Sequence, residues 1–444
     1  MLDGRIASGT ALPAERDLAA ALGVSRTMVA AAWELLREAG LLISRRGAGS
    51  WTTLPPNFTG ASTSDPFDAR DMIDFARAVP AALPGIEAAF DAARPRLAAK
   101  LVGHGYYELG LPELRARVAE RYTARGLATT PDQVMITNGA HHVLSLALRM
   151  LTGPGDRVLI EHPTYPNSIE AIKAAHAMPV PVAMADDGWD LDGVEVALRQ
   201  AAPRLAYLIV DFQNPTGFRL GAPGRERLGA ALRRSRTPVV VDETAVELDL
   251  DGDPAAAPPS LAAFAPDWVI AAGSAGKTYW GGLRLGWVRA PAEMISRLGV
   301  ARRGTDLGSP VFEQLVLAEL LGDPEPMLRA RRAELAARRD LLARELRTHC
   351  PEWTFTIPPG GFSLWCRLPG PVSTRIAAIA QNFGLWVVPA SRFAVAGGLE
   401  GWLRLPFTQP PEVITEGVRR LSRAAAAVLD TRQPAARVPL LDPV

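Results

Sequence analysis

The spacing of apolar positions near the amino terminus predicts two helices followed by a hairpin. Apolar residues recur at helical spacing between Ser25 and Gly40, so we predict a helix with Ser25 as its N-cap and Gly40 at its end. Residues 12–22 predict a shorter helix before it, and residues 41–52 predict a β-hairpin with a basic, glycine-rich tip. Two helices joined by a tight turn and followed by a hairpin outline a winged helix-turn-helix.

Short apolar runs alternate with helical stretches over most of the remaining chain. Such alternation is typical of an α/β domain whose mainly parallel sheet is covered by helices on both faces, giving three layers. After Gly308, long helices precede three further strand-like runs, which predicts a smaller α+β part. The predicted strands are 134–137, 157–160, 205–210, 238–241, 268–272 and 285–288, then 361–365, 385–388 and 402–405.

These patterns divide the chain into consecutive units. The linker between the two folded units is rich in Pro, Ser, Thr and Asp, and the carboxyl-terminal tail is rich in Pro. The units are a winged helix (1–54), a linker (55–71), an α/β unit (72–430) with a large part at about 100–307 and a small part at about 308–430, and a loose tail (431–444).

Composition narrows the class of protein. The 444 residues include 48 basic and 47 acidic side chains, and 48% are hydrophobic, which excludes a disordered or polybasic chain. The sequence has no run of about 18 apolar residues and no signal-peptide pattern, so we expect a cytoplasmic protein with no membrane partner. Cys350 and Cys366 are too few for a disulfide framework or a Cys-rich zinc site, so we predict buried free thiols and no metal.

Lysine is scarce, which leaves few candidates for chemistry that needs a primary amine. The three lysines are Lys100, Lys173 and Lys277, and arginine cannot form a Schiff base with an aldehyde. We expect the first two to be solvated residues on charged helices. Lys277 instead lies in a turn of small residues directly after an apolar strand, where Ser274 and Arg284 would suit a phosphate.

Other segments at strand ends suit the same ligand. Residues 137–141 join a strand to a helix, so their N–H groups could hold a phosphate at the helix N-terminus. Asn214 could bind a phenolic oxygen, Asp242 could pair with a protonated pyridine nitrogen, and Tyr165 offers a ring for stacking. Each alone has an ordinary explanation as a cap, turn, strand-end acid or core aromatic. Their common position in one α/β domain favours a shared site.

The amino-terminal unit carries candidate DNA contacts. Ser25, Arg26 and Thr27 begin the second helix, where they could face a major groove, and Arg45 and Arg46 could reach a neighbouring groove. The alternative is a small helical cap with a solvated arginine pair. Residues 1–54 contain six arginines and five acidic residues, so DNA affinity would depend on placement and dimerisation rather than on net charge.

Residues 12–19, 23–27, 38–41 and 46–49 closely resemble the GntR-type winged helix, over about the first 53 residues. That family has a further helix before the segment that begins here at Gly4, and almost nothing precedes it in this sequence. Either the start codon is assigned too late, which we favour, or the helix has been lost. The recognition helix also has alanine at positions 30 and 31, where that family often has another long polar side chain.

Residues 72–430 resemble fold-type I, aspartate-aminotransferase-like proteins that bind pyridoxal phosphate. The matching blocks, in the family's order, are Tyr106–Arg115, Thr137–His141, Pro163–Pro166, Asn214–Gly217, Asp242, Ser274–Arg284 and Trp402–Pro406. The resemblance implies that Lys277 binds the cofactor aldehyde, that Arg404 binds a substrate carboxylate, and that Tyr106 or Tyr107 reaches the partner subunit. The cofactor-binding residues it implies are Gly139, Ala140, His141, Tyr165, Asn214, Asp242, Ser274, Lys277 and Arg284.

One departure from that family bears on activity. Its members usually have a tyrosine two or three positions after the aspartate that pairs with the ring nitrogen, and this chain has Thr244 and Ala245 there. Loss of that donor to the ring hydroxyl oxygen predicts weak turnover, or a half-reaction only, without loss of cofactor binding.

A GntR-like winged helix joined to an aminotransferase-like domain is the arrangement of MocR-type transcriptional regulators. That resemblance implies a head-to-tail homodimer that binds operator double-stranded DNA and responds to pyridoxal phosphate or to an amino-compound effector. The alternative is an active pyridoxal-phosphate-dependent aminotransferase with a vestigial DNA-binding domain.

Overall fold

The computed structural model describes residues 11–38, 40–45, 49–53, 72–252 and 256–430. The first ten residues, Arg46 and the side chain of Arg45 lie outside the described residues, as do the predicted linker and the predicted tail.

The amino-terminal unit contains the predicted two helices and hairpin. Its elements are β1 (Ala11–Leu12), α1 (Glu15–Leu22), α2 (Arg26–Glu38), β2 (Leu42–Arg45) and β3 (Gly49–Thr52). The strands form an antiparallel sheet in the order β1-β3-β2. A small core of Ala19, Val29, Trp33 and Leu42 holds the helices to the sheet, and Val29 and Trp33, one turn apart, place the same side of α2 in it.

The remaining described residues form twelve strands and eleven helices. The strands are β4 (Ile73–Phe75), β5 (Val134–Thr137), β6 (Arg157–His162), β7 (Met178–Ala185), β8 (Gly188–Trp189), β9 (Leu205–Leu208), β10 (Val239–Asp242), β11 (Val269–Ser274), β12 (Gly286–Arg289), β13 (Ser363–Arg367), β14 (Leu385–Val387) and β15 (Trp402–Pro406). The helices are α3 (Glu87–Leu97), α4 (Pro112–Ala124), α5 (Ala140–Leu151), α6 (Pro166–Ala174), α7 (Leu191–Ala201), α8 (Ala222–Ser235), α9 (Ala292–Arg302), α10 (Val311–Leu320), α11 (Glu325–His349), α12 (Ser373–Ala380) and α13 (Pro411–Asp430).

The central sheet has the order β5-β12-β11-β10-β9-β6-β7-β8. The strands from β11 to β7 are mutually parallel, whereas β12 runs antiparallel to both of its neighbours and β8 antiparallel to β7. Successive residues of a strand point to opposite faces, so Val240 and Val241 belong to different cores. Helices α3, α4, α7, α8 and α10 cover one face and α5, α6 and α9 the other, which confirms the predicted three layers.

The small part has its own core, and its boundary differs from the prediction. It contains the pairs β13–β15 and β14–β4, with α11, α12 and α13 packed against them. Leu315 and Leu317 of α10 belong to the large part's core, so the small part begins after α10 rather than at residue 308. Phe75 of β4 lies in the small part's core, so the chain enters this part before it builds the large one.

Strand β7 is not among the predicted strands, and it contains Pro179 and Pro181. Proline lacks the N–H group that a ladder needs, so it normally argues against an interior strand. Here β8 pairs only with the last two residues of β7, Met184 and Ala185, so both prolines face an open edge.

The described residues include both cysteines and the helices that could be compared with a membrane span. Cys350 and Cys366 are free and buried, as predicted, and burial raises the pKa of Cys350 to about 11. No single helix in the described part of the chain has the length and apolar character to span a bilayer. Helices α1 and α2 satisfy that criterion only when joined, and they are bent by 117° at their junction.

Candidate cofactor site

Lys277 lies just after β11, half-buried among charged neighbours. Its Nζ donates to the carbonyl oxygen of Ala78 at 2.5 Å and lies 5.4 Å from the centre of the Phe362 ring. Burial, followed by the charge of Arg404, lowers the pKa of Lys277 to about 8, and the charge of Asp242 opposes this change. A lysine with a depressed pKa is more often neutral near pH 7, which is what an amine needs in order to attack an aldehyde.

Asp242 ends β10 on the same edge of the sheet, and both of its carboxylate oxygens are held. Oδ1 accepts from the backbone N–H of Thr244 at 2.9 Å, and Oδ2 accepts from the hydroxyl of Tyr207 at 2.7 Å. Burial, followed by the charge of Asp242, raises the pKa of Tyr207, so its hydroxyl stays protonated and acts as the donor.

The turn between β5 and α5 forms a cradle that only glycine permits. Gly139 has φ +87°, a region that favours glycine, and it precedes Ala140 at the N-terminus of α5. A Cβ on Gly139 would lie 3.9 Å from Nη2 of Arg284, so the turn faces that guanidinium. A Cβ on Gly286 would lie 2.7 Å from the carbonyl carbon of Gly139, so β12 approaches the turn this closely only without a side chain.

Ser274, at the end of β11, and Arg284, in the connection before β12, flank this cradle. Arg284 has φ +54°, which residues with a Cβ adopt infrequently, and such conformations cluster at functional sites. Ser274 is the last residue of β11, and its Oγ accepts from the N–H of Gly276 at 3.1 Å, which orders the turn before Lys277.

Tyr165 and His141 lie together beside the same charges. Their rings meet edge-on with centroids 6.3 Å apart, and the hydroxyl of Tyr165 accepts from Asn167 at 2.8 Å. Burial, followed by the charge of Asp242, raises the pKa of Tyr165, and Arg404 and Arg284 act on it in the opposite direction. The structure therefore brings Tyr165, His141, Asp242, Arg284 and Arg404 into one site.

Asn214 lies in the turn after β9, half-buried, and among the described residues it forms no hydrogen bond with the other predicted cofactor residues. Its turn is held by Gln213, whose Oε1 accepts from the hydroxyl of Thr216 at 2.8 Å and whose Nε2 donates to the Pro163 carbonyl at 2.8 Å. Gln213 thus joins the Asn214 turn to the loop that carries Tyr165.

Glu161 lies beneath these two loops, and the sequence carried no signal for its role. It accepts from the N–H of Ile209 at 2.9 Å and from Nε1 of Trp189 at 3.0 Å. Burial raises the pKa of Glu161 to about 7, although its hydrogen-bond donors lower it.

Arg404 reaches the site from β15 of the small part. Its side chain is buried, with only 6% of the residue exposed, and it lies 5.1 Å from the centre of the Phe393 ring. Burial lowers the pKa of Arg404 to about 10. Nη2 donates to the carbonyl oxygen of Ala76, while Nε has no hydrogen-bond partner among the described residues. Buried donors are usually paired, so a free N–H here suits an incoming carboxylate.

The segment after β4 contacts two of the cations of the site. The carbonyl of Ala76 accepts from Arg404, and that of Ala78 accepts from Lys277. Asp74 shapes the segment, because its Oδ1 accepts from the N–H of Ala76 at 2.7 Å. No residue type in the sequence indicates these contacts, because they depend on backbone oxygens.

The exposure of the other two lysines agrees only partly with the prediction that both are solvated. Lys173 is exposed, as predicted, but Lys100 is half-buried, because it pairs with Glu113 at 2.8 Å and lies 5.8 Å from the centre of the Tyr107 ring. Tyr107 packs against the main core, whereas Tyr106 is 61% exposed.

The candidate DNA contacts lie at the start of α2. Ser25, Arg26 and Thr27 are all exposed, and Ser25 Oγ accepts from the N–H of Met28 at 3.2 Å, as an N-cap does. Arg26 lies 3.5 Å from Glu15, a surface pair that DNA phosphates would compete with.

A model of aminotransferase class I and II matches residues 73–421, and a model of bacterial regulatory proteins of the gntR family matches residues 1–51. The chain belongs to the aminotransferase class I and II family. Its gntR unit followed by this domain is the MocR-type fusion that the sequence predicts.

Similar proteins include aminotransferases and a regulatory protein. A 2-aminoadipate transaminase of Thermus thermophilus is 35% identical over 330 residues, covering 72% of this chain and 81% of its own length. The probable rhizopine catabolism regulatory protein MocR of Rhizobium meliloti is 27% identical, covering 96% and 92%. The crystal structure of the Thermus thermophilus α-aminoadipate aminotransferase LysN, complexed with N-(5'-phosphopyridoxyl)-L-leucine, has a TM-score of 0.75 and 31% identity, covering 83% and 96%.

Proposed function

We propose that this protein is a MocR-type transcriptional regulator that binds operator double-stranded DNA through its winged helix and binds pyridoxal phosphate at Lys277. One observation carries the proposal. The segment that follows β4 at the start of the α/β unit accepts hydrogen bonds from Lys277 and Arg404 through the carbonyls of Ala78 and Ala76, so the first described stretch after the gntR unit responds directly to what these two side chains bind.

The residues fit pyridoxal phosphate. Lys277, Arg284 and Arg404 outnumber the carboxylate of Asp242, which suits an anionic ligand, and the glycine cradle leaves room for a phosphate at the N-terminus of α5. When bound, the cofactor supplies an electron sink. The phosphate would be held by Gly139, Ala140, Ser274 and Arg284 with His141 beside them, the ring by Tyr165, Asn214 and Asp242, and the aldehyde by Lys277.

Ligand binding would change the hydrogen bonds of the entering segment. A carboxylate on Arg404 competes with the carbonyl of Ala76, and covalent use of the Lys277 amine removes the donor to Ala78. A carbonyl in a partly buried site that loses its donor must find another partner, so the segment is expected to move. This movement would shift operator affinity only if the ligand binds the two conformations unequally.

Fluorescence anisotropy of the protein on its upstream intergenic DNA tests this proposal. We expect specific binding over random DNA, and a change in affinity when pyridoxal phosphate and an amino acid are added. Lys277→Ala should keep the DNA affinity and lose the response. Equal affinity for operator and random DNA would refute the regulator, and a response that survives Lys277→Ala would refute sensing at this lysine.

A second candidate is an active aminotransferase, and the free Nε of Arg404 favours it. A substrate carboxylate there would lie near Lys277, whose lowered pKa of about 8 suits an amine that moves a proton. Catalytic formation of a 2-oxo acid from an amino acid, abolished in Lys277→Ala, would support the enzyme. At most one turnover per site would support the sensor.

We also propose that the protein acts in the cytoplasm as a head-to-tail homodimer. Leu101 and Val102 are exposed apolar residues a few positions before the exposed Tyr106, which offers a partner subunit an apolar surface. Light scattering should give twice the 47.5 kDa chain mass. A monomer at micromolar concentration would contradict the dimer.

A further inference from the structure

A buried tyrosine on β9 touches the carboxylate at the centre of the site. Tyr207 is 2% exposed, and its neighbours along the strand are apolar, so nothing in the sequence distinguishes it from a core residue. Its hydroxyl nevertheless donates to Oδ2 of Asp242 at 2.7 Å.

The sheet register explains how the hydroxyl reaches that carboxylate. Tyr207 is paired with Val240 of β10, and Asp242 follows two positions later on the same face. Glu243, the next residue, bonds instead to the hydroxyl of Tyr122, which belongs to the core on the opposite face. Two buried tyrosine–carboxylate pairs therefore stand on consecutive residues, and only one faces the cofactor site.

Hydrogen-bond donors fix the orientation of the Asp242 carboxylate. A carboxylate whose two oxygens each accept from a donor cannot turn without breaking a hydrogen bond. The Tyr207 hydroxyl and the Thr244 N–H are two such donors, one on each oxygen. With both oxygens fixed, Asp242 can present its carboxylate to a cationic ring nitrogen.

We propose that Tyr207 is a positioning residue that holds the Asp242 carboxylate oriented toward the ring nitrogen of pyridoxal phosphate. This inference rests on the proposed cofactor site and adds a residue to it. It assigns to β9 a tyrosine hydroxyl that supports the ring nitrogen, in a chain whose residues after Asp242 are Glu243, Thr244 and Ala245.

Tyr207→Phe tests the proposal, with Tyr122→Phe as the matched control. Both changes remove one buried hydroxyl that donates to a carboxylate, at 2.7 Å and 2.8 Å, so their effects on folding should be similar. Loss of a hydrogen bond to a charged group should weaken pyridoxal phosphate binding about tenfold in Tyr207→Phe, and by less than about twofold in Tyr122→Phe. Unfolding of both variants is followed by circular dichroism.

A cofactor analogue separates positioning from a general loss of packing. The carbocyclic analogue, in which C–H replaces the ring nitrogen, offers Asp242 nothing to pair with. Tyr207→Phe should therefore bind this analogue as tightly as the unaltered protein does. An equal loss for both ligands, or no loss for pyridoxal phosphate, overturns the inference. Failure of the unaltered protein to bind pyridoxal phosphate at Lys277 overturns the proposed function instead.

Discussion

The depressed pKa of Lys277 predicts how fast the protein captures an aldehyde as pH changes. With a pKa of about 8 in place of the ordinary 10.5, the amine is neutral in about one-tenth of molecules at pH 7, against roughly three in ten thousand. Only the neutral amine attacks, so capture at pH 7 should be roughly 300-fold faster than for an unperturbed lysine. The rate should rise about tenfold per pH unit and level off near pH 8.

The assay is stopped-flow absorbance of the cofactor-free protein mixed with pyridoxal phosphate, repeated from about pH 6 to pH 10. Borohydride trapping and peptide mass analysis then identify the labelled lysine, which should be Lys277 and not the exposed Lys173.

Two variants give opposite shifts in the same assay. Arg404→Gln removes a cation that lowers the pKa of Lys277, so the midpoint of the pH–rate profile should rise. It should stay below 10.5, because burial is the larger cause of the lowered pKa. Asp242→Asn removes the charge that raises this pKa, so the midpoint should fall. A midpoint near 10.5 in the unaltered protein would refute the reasoning, as would shifts of the reversed sign.

Three further predictions concern the cradle, the buried carboxyl and the DNA contact. Gly286→Ala places a Cβ 2.6 Å from the Gly273 carbonyl oxygen, so the free energy of unfolding measured with denaturant should fall by about 1–3 kcal/mol, and pyridoxal phosphate should bind more weakly. A Cβ on Gly401 would have no atom within 4 Å, so the control Gly401→Ala should change neither quantity. The pKa of Glu161 is raised from 4.5 to about 7, so the folded state binds this proton more tightly than the unfolded state does. The free energy of unfolding should therefore fall by up to about 3 kcal/mol as pH rises from about 5 to 8. Thermal melts of Glu161→Gln should lack this fall. A Glu161→Gln profile identical to that of the unaltered protein would contradict this. Arg26→Ala should weaken operator binding measured by anisotropy and leave pyridoxal phosphate binding intact. The control is Arg16→Ala, which removes an exposed arginine of α1. An equal loss of operator affinity in the two variants would argue against a specific contact at Arg26.

Much of the fold was predictable because strand and helix periods are local properties. The runs around Val134, Val239 and Trp402 are strands because apolar and β-branched residues follow one another there, and the structure places each within one or two residues of the prediction. Strand β7 was not predicted, and its prolines are tolerated because they face an open sheet edge, which is a property of neighbouring strands rather than of the local sequence. The boundary of the small part was misplaced for a similar reason, since α10 belongs to whichever core its leucines reach.

The residues of the candidate site were also predictable only in part. Lysine scarcity and the turn of small residues singled out Lys277 from residue types alone, and strand ends singled out Asp242, Gly139 and Arg284, because parallel strands bring their carboxyl ends to one edge. Partners that are backbone carbonyls or core residues carry no such signal. Ala76, Ala78 and Tyr207 were therefore found only in the structure.

The sequence by itself determined the order of the two units, the class of each fold and the amine available for aldehyde chemistry, because these depend on periodicity, composition and short motifs. Only the tertiary structure decided which groups share the site, since that depends on register between distant strands and on burial. Arg404 and Lys277 are 127 positions apart in the chain, yet the charge of one lowers the pKa of the other. Desolvation and proximity produce that coupling, and neither is a property of a residue until the chain has folded.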